Sequence, residues 1–120
     1  LTDPNNPEGR VSAHYLIDVD GDTIHLVHES DEAWHAGVST WKGVDNVNDF
    51  SVGIELVNPN DGTPFPPAQL AAAVGLCKCL VRDYGVALED IVGHLHIAPG
   101  RKTDPAGLDF DAFRALVAAA

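Results

Sequence analysis

Val11 to Asp18 (VSAHYLID) and Thr23 to Glu29 (TIHLVHE) mix apolar, β-branched and aromatic residues with single polar ones, and both read as strands. Asp20-Gly21-Asp22 between them reads as a hairpin turn, because Asp-Gly tolerates the positive φ of a tight connection. The opening Leu1 to Arg10 is dense in turn formers and predicts a loop. From Ser30 to Asn48 no period holds, and its Gly, Ser and Asn residues predict a long loop of the kind that carries function. Phe50 to Val57 (FSVGIELV) predicts a third strand, apolar at nearly every position around Glu55.

Pro66-Pro67 suits the first turn of a helix, where no backbone donor is lost. Leu70, Ala73/Val74, Cys77, Leu80/Val81 and Tyr84 follow at three- and four-residue steps, which predicts one core-facing stripe. Gly85 stands at the C-terminal cap position. Leu88 to Val92 predicts a short strand ending at Gly93-His94, then a polar loop to Gly107. Asp109 is placed to cap a last helix through Phe110, Phe113, Leu116 and Val117. The order of elements predicts one α/β (α+β) domain over residues 1–120, with helices flanking a mixed central sheet.

Composition narrows the partners. With 120 residues the chain suits a single domain. Seven Lys and Arg stand against 18 Asp and Glu, a formal net charge of −11. That sign argues against nucleic acid, whose binding needs a basic face, and against an anionic membrane surface. At 45% hydrophobic residues the chain is too apolar for disorder. No run approaches the ~18 apolar residues of a membrane span, and no signal-like segment opens the chain. Because it begins at Leu1 and not at Met, an upstream piece is expected to have been removed. Cys77 and Cys79 sit two apart in the predicted helix and point to different faces, so they do not bridge each other. Cys77 reads as a small core residue and Cys79 as a bystander.

Three places carry candidate chemistry. In Gly93 to Pro105, His94 offers an imidazole nitrogen and Asp104 a carboxylate, both good zinc ligands at about 2.0–2.2 Å. The loop between them, with Pro99-Gly100 at its tip, can bring its ends to one ion. Lys102 would lie beside that ion, able to stabilise negative charge on a substrate oxygen. On spacing alone, the competing reading is a capped helix start with a surface Lys–Asp pair. Glu55 lies in so apolar a strand that burial without a partner would cost several kcal/mol. It therefore faces solvent, pairs with a cation, or works beside an activated water. Trp34-His35 in a glycine-containing loop suits a sugar or peptide wall, or merely covers a core edge. His14, His25 and His28 alternate with apolar residues and read as structural. His96, two after His94, should point away from any ion bound there.

Taken together, Val11-Ser-Ala-His-Tyr-Leu-Ile17, Ala33-Trp-His-Ala-Gly37, Asn48-Asp-Phe-Ser-Val-Gly-Ile-Glu55 and Gly93-His94 through Arg101-Lys-Thr-Asp-Pro105 form four ordered blocks. They resemble the zinc-dependent N-acetylmuramoyl-L-alanine amidases of the type 2 amidase family, which is related to peptidoglycan recognition proteins and phage amidase-type lysozymes. The closest likeness is to the bacterial branch that cleaves muropeptides, including anhydromuropeptides, in cell-wall turnover and recycling. The resemblance covers about Leu1 to Phe113 and implies a peptidoglycan-recognition/amidase-like fold, here without its first strand.

It implies that His94 and Asp104 are two of three protein ligands to a catalytic Zn2+. It further implies that Glu55 is the acid/base carboxylate and Lys102 the oxyanion-stabilising lysine. Trp34 and His35 would line the cleft, with Arg101 a partner for a stem-peptide carboxylate. The reaction implied is hydrolysis of the amide between the lactyl group of N-acetylmuramic acid and L-alanine, on peptidoglycan fragments (muramoyl-peptides). The family's first zinc histidine has no match in this chain. It is expected upstream of Leu1, with a separate chain, or His14 or His35, as the other sources. Without that ligand, a non-catalytic peptidoglycan-binding domain or an inactive fragment is the alternative. Retention of Glu55, Lys102, His94 and Asp104 argues for the enzyme. The compartment, periplasm or cytoplasm, and the oligomeric state stay open.

Overall fold

A computed structural model of the chain describes residues 12–119. The Leu1–Arg10 loop expected from the sequence lies outside the described residues. Tyr15–Ile17 (β1) and Thr23–His25 (β2) pair antiparallel, Tyr15 opposite His25 and Ile17 opposite Thr23. The turn between them is where the Asp-Gly signal puts it, with Gly21 N–H donating to Asp18 O (3.0 Å) and Asp22 N–H to Asp20 Oδ1 (2.9 Å). Ile54–Leu56 (β5) pairs parallel with β1, Leu16 opposite Glu55, so the sheet order is β2-β1-β5 and the sheet is mixed. Among the described residues the far edge of β5 has no neighbouring strand. All three strands are shorter than the sequence segments that predict them, because pairing is confined to the stretch where the partners lie in register.

The segment from Ser30 to Asn48 is irregular for most of its length, but it holds a two-residue ladder, Thr40–Trp41 (β3) with Val44–Asp45 (β4), and a 3-10 turn at Val47–Asp49. The strand expected at Leu88 to Val92 is not formed. Leu88–Asp90 is a 3-10 turn instead, and its acidic residues face the β3–β4 hairpin. Trp41 Nε1–H donates to Asp90 Oδ1 (3.0 Å) and Lys42 Nζ pairs with the same oxygen (2.8 Å). A turn presents adjacent acids to one cationic neighbour, where a strand would send them to opposite faces.

Pro67–Tyr84 (α1) starts at the proline pair and ends at Gly85, which takes φ 67° and donates to Val81 O (3.0 Å). Phe110–Ala118 (α3) is capped by Asp109, whose Oδ1 accepts from Ala112 N–H (3.0 Å). Both helices pack on one face of the sheet around Ile17, Ala73, Cys77, Phe113 and Val117, with Ile54 and Leu56 completing the layer. Cys77 is buried, which pushes its thiol up to about 11, and Cys79 is exposed, as the helix spacing requires. Tyr84 departs from the expected stripe: it is 55% exposed and its hydroxyl donates to Glu29 Oε2 (3.2 Å). Leu116 is likewise exposed. The core-facing stripe is therefore narrower than the sequence predicts: in α3 it runs through Phe113 and Val117 and leaves Leu116 outside, and in α1 it stops before Tyr84.

Gln69 is the polar residue the stripe did not anticipate. It is fully buried in the first turn of α1, and Nε2 donates to Ile17 O (3.1 Å) and Val57 O (2.9 Å), closing the C-terminal ends of β1 and β5. Replacing it with leucine keeps the volume but leaves Val57 O without its donor, while Ile17 O keeps the bond from Val57 N–H (3.0 Å). Read from urea denaturation, Gln69→Leu is therefore expected to lower unfolding free energy by about 1–2 kcal/mol. The loss at Val57 O is partly offset by removal of the buried Gln69 Oε1, which has no partner among the described residues. A change under about 0.5 kcal/mol would mean that water reaches Val57 O instead.

Candidate active site

The opposite face of the sheet is built differently. Side chains alternate along a strand, so the β5 residues facing away from the helices are Gly53, at its start, and Glu55. Glu55 is exposed and stands on the open face of the sheet. The His35 ring lies directly over Gly53. A Cβ at Gly53 would come within 2.3 Å of His35 Cγ, so glycine is required here by contact and not by backbone angle. His14, from the residue before β1, closes the same region and is fully buried. Its Nδ1 accepts from Gly53 N–H (3.0 Å) and its Nε2–H donates to Asp31 O (2.7 Å). Both nitrogens are thereby used, as its structural reading requires, and His14 cannot also ligate a metal.

Asn48 holds the Trp34–Ala36 segment in place. This buried side chain accepts through Oδ1 from His35 N–H (3.0 Å) and Ala36 N–H (2.8 Å). Trp34 is half-buried, its N–H donating to Ser12 Oγ (2.8 Å). The carbonyl of Ala36 then receives two donors, His94 Nε2–H (2.8 Å) and Arg101 Nη2 (2.6 Å). Arg101 also donates to Val38 O from Nη2 (2.8 Å) and Nε (3.2 Å), so its charge is directed at loop carbonyls. The 3.5 Å separation between Arg101 Nη2 and His94 Nε2 is that of two donors converging on one oxygen.

Because Nε2 of His94 donates to a carbonyl, Nδ1 carries the lone pair of the neutral ring. That lone pair faces Asp104 Oδ2 at 3.3 Å. Two acceptors this close need a cation between them, either a proton on Nδ1 or a metal ion. Two ligand atoms each about 2.0–2.1 Å from a tetrahedral ion stand about 3.3–3.4 Å apart, which matches the spacing here. Donor types and spacing thus fit a zinc ion. The ends of the intervening loop meet through Leu95 N–H to Asp104 O (3.0 Å). The loop is not irregular throughout: His94–Ile97 (α2) forms one helical turn. His96 turns away as expected, with Nδ1 accepting from Gly93 N–H (2.9 Å) and its ring against Phe110. Among the described residues no third His, Cys, Asp or Glu completes a metal cluster. Lys102 is exposed, and no hydrogen bond or ion pair ties its ammonium or Glu55 to the His94–Asp104 pair. A groove of about 590 Å³ runs alongside, between Gly37–Thr40 and Ile97–Pro99, with Arg101 in its wall.

Burial, reinforced by the nearby charges of His14 and His94, pushes the His35 imidazole down to about 4. Its Nε2 meets Ser51 Oγ at 3.0 Å.

Residues 1–107 match the family model described as N-acetylmuramoyl-L-alanine amidase. The chain belongs to this amidase family. It is 44% identical over 110 residues to the 1,6-anhydro-N-acetylmuramyl-L-alanine amidase AmpD of Salmonella typhimurium, a match covering 91% of this chain and 58% of that protein. To the N-acetylmuramoyl-L-alanine amidase AmiD of Escherichia coli it is 40% identical, covering 82% of this chain and 41% of that one. Among solved structures, a crystal structure of AmpD superposes with a TM-score of 0.83 at 42% identity, covering 89% of this chain and 60% of that chain. E. coli AmiD in complex with anhydro-N-acetylmuramic acid-L-Ala-D-gamma-Glu-L-Lys superposes with a TM-score of 0.82 at 35% identity, covering 88% and 48%. The chain thus spans somewhat over half the length of its AmpD relatives. The amidase-family fold expected from the four sequence blocks is the fold observed.

Of the seven residues the sequence points to, His94 and Arg101 meet on the Ala36 carbonyl, Asp104 meets His94, and Trp34 and His35 precede Ala36 in the chain, while Glu55 and Lys102 make no bond to this group. Sequence reasoning missed Asn48 and Ser51. Both lie in or beside the quoted Asn48–Glu55 block, and the available signal was a polar side chain next to an otherwise apolar strand.

The His35 shift has a measurable consequence. A base whose folded pKa is depressed from 6.5 to about 4 binds fewer protons folded than unfolded between those values. Its contribution to stability is complete above pH 6.5 and is lost as the pH falls towards 4. In an NMR titration from pH 8 to 5 the His35 Cε1–H resonance should stay still. Movement with a midpoint near 6.5 would overturn the assignment.

Proposed function

We propose that this chain is the catalytic domain of a zinc-dependent amidase. It would hydrolyse the amide between the lactyl group of N-acetylmuramic acid and L-alanine in peptidoglycan fragments, anhydromuropeptides included. The observation that carries the reading is the His94 Nδ1 lone pair held 3.3 Å from Asp104 Oδ2 by the bond from Nε2–H to Ala36 O. A carboxylate and a neutral imidazole nitrogen aimed at one point form a ligand pair. Relatives named for this activity, and the anhydromuramoyl-peptide complexes of E. coli AmiD and Pseudomonas aeruginosa AmpDh3, support the substrate class.

His94 and Asp104 would hold the ion, with the remaining protein ligand coming from outside residues 12–119. Both nitrogens of His14 are spent, and no third His, Cys, Asp or Glu among the described residues, His35 included, joins the pair in a metal cluster. When bound, zinc supplies Lewis-acid polarisation of the scissile carbonyl and lowers the pKa of a water towards about 7. Glu55, on the open face of β5, takes the proton of the attacking water. It returns that proton to the L-alanine nitrogen as the C–N bond breaks. The Lys102 ammonium offsets the negative charge on the carbonyl oxygen at the tetrahedral stage. Trp34 and His35 form the wall against which the sugar and first peptide units lie, and the groove beside Arg101 receives the stem peptide, a carboxylate of which Arg101 would meet. These groups come from three segments, Trp34–His35, Glu55 and His94–Asp104, and the Ala36 carbonyl joins the first to the last through His94 and Arg101.

Metal and turnover are tested on one sample, by zinc content and by release of L-alanyl peptide from an anhydromuramoyl-peptide. About one zinc per chain with release is expected. Binding of the muropeptide without release would instead favour a recognition domain. His94→Ala and Asp104→Ala should each remove the metal, and unchanged zinc content in both would eliminate this ligand pair. Glu55→Gln should retain zinc while losing about 10²–10⁴-fold in kcat. Full retained turnover would remove Glu55 from the acid/base role.

A further inference from the structure

Ser51 has no place in the chemistry so far, yet its bonding leaves little freedom. A serine hydroxyl has one proton, and Ser51 Oγ lies 2.6 Å from Val47 O, which can only accept. That proton is therefore committed to Val47. The 3.0 Å contact between Ser51 Oγ and His35 Nε2 must run the other way, with Nε2–H donating to the hydroxyl oxygen. The neutral ring then has its lone pair on Nδ1, and no donor meets Nδ1 among the described residues.

The ring is also fixed in plane. It lies against Gly53, whose N–H is held by His14 Nδ1 (3.0 Å) and whose carbonyl accepts from His14 N–H (2.9 Å) and Tyr15 N–H (3.1 Å). Its backbone is held by Asn48.

We propose that Ser51 is a positioning residue: bonded to Val47 O, it fixes His35 as the Nε2–H tautomer and makes Nδ1 the hydrogen-bond acceptor for an amide N–H of the bound muramoyl-peptide. This rests on the substrate class proposed above. A peptide offers N–H donors at each amide, whereas its carboxylates offer none, so the bare nitrogen favours the backbone of the stem over its charged groups. Burial keeps His35 neutral at the pH where such a peptide would bind. Without the hydroxyl, nothing selects between the two tautomers, and the Nδ1–H form would oppose the peptide N–H donor to donor.

The test reads the ring directly. Long-range ¹H–¹⁵N correlation of the histidine side chains at pH 7 should show His35 with Nε2 protonated and Nδ1 bare. Ser51→Ala should move both nitrogens towards the averaged shifts of a mixed tautomer, and Ser51→Thr, which keeps a hydroxyl, should restore the wild-type pattern. A protonated Nδ1 in the wild type, or an unchanged pattern in Ser51→Ala, overturns the proposal. Should Ser51→Ala not fold, the wild-type and Ser51→Thr spectra still decide it. In Glu55→Gln, which holds substrate without turning it over, adding anhydro-N-acetylmuramic acid-L-Ala-D-γ-Glu-L-Lys should shift Nδ1 selectively, and a static Nδ1 with bound ligand overturns the acceptor role. In active protein, Ser51→Ala should raise KM roughly three- to tenfold with kcat little changed. Loss of kcat with constant KM would instead make Ser51 part of the fold's general support. Absence of turnover or zinc in the wild type removes the amidase reading, while the tautomer measurement still decides the Ser51–His35 assignment.

Discussion

Ala36 is the residue on which the site depends. Its N–H is taken by Asn48 Oδ1 and its carbonyl by both His94 Nε2–H and Arg101 Nη2, and the residue itself is fully buried. The Asn48 segment and the His94–Arg101 loop therefore meet on the two sides of one residue. The N–H and the carbonyl belong to the two peptide planes that flank the Ala36 Cα, so Asn48 fixes the plane entering the residue and His94 with Arg101 the plane leaving it. The carbonyl oxygen in turn orients the His94 ring so that Nδ1 faces Asp104. Arg101 contributes a positive charge to the same oxygen, and a charge-assisted bond of 2.6 Å is among the stronger ones available to a loop. A loop of nearly twenty residues is thereby held to the geometry that a two-ligand pair needs.

The sheet separates stability from chemistry by alternation alone. Ile54 and Leu56 point to the core shared by α1 and α3, while Gly53 and Glu55 point to the open face. A three-residue strand is enough for this because its two ends are held by side chains: His14 at Gly53, and Gln69 at Val57. The helices can thus bury their stripes without constraining what Glu55 meets. The acidic surface, at a net charge of −11, gives no general attraction to an anionic peptide. Of the two cations at the site, Arg101 is partly engaged by loop carbonyls, which leaves Lys102 the more exposed.

Local signals were legible and distant ones were not. The Asp-Gly turn, the proline start and Gly85 end of α1, and the Asp109 cap each act over a few residues, and each stands where the sequence predicts it. His94 and Asp104 were legible because a single loop closes on itself. The strand expected at Leu88 to Val92 failed because Asp90 meets Trp41 and Lys42 from a hairpin on the other side of the site, a pairing without local signature. Gln69 was missed for the same reason. Nothing local marks a glutamine in the first turn of a helix as buried, and its partners are carbonyls at the ends of two strands. Asn48 and Ser51 serve backbone atoms of residues whose placement has no sequence signal.

Three histidines on the open face share one tautomer and do three different things. His14 donates through Nε2 to Asp31 O, His35 through Nε2 to Ser51 Oγ, and His94 through Nε2 to Ala36 O. In each the acceptor fixes the proton and frees Nδ1. For His14 the freed nitrogen takes the Gly53 N–H and becomes part of the scaffold. For His94 it faces a carboxylate, an arrangement that calls for a cation. For His35 it has no protein partner among the described residues. Residue identity is the same in all three, so neither composition nor motif could separate these roles. What separates them is the group opposite Nδ1, and that is set by which loop the backbone acceptors bring into place.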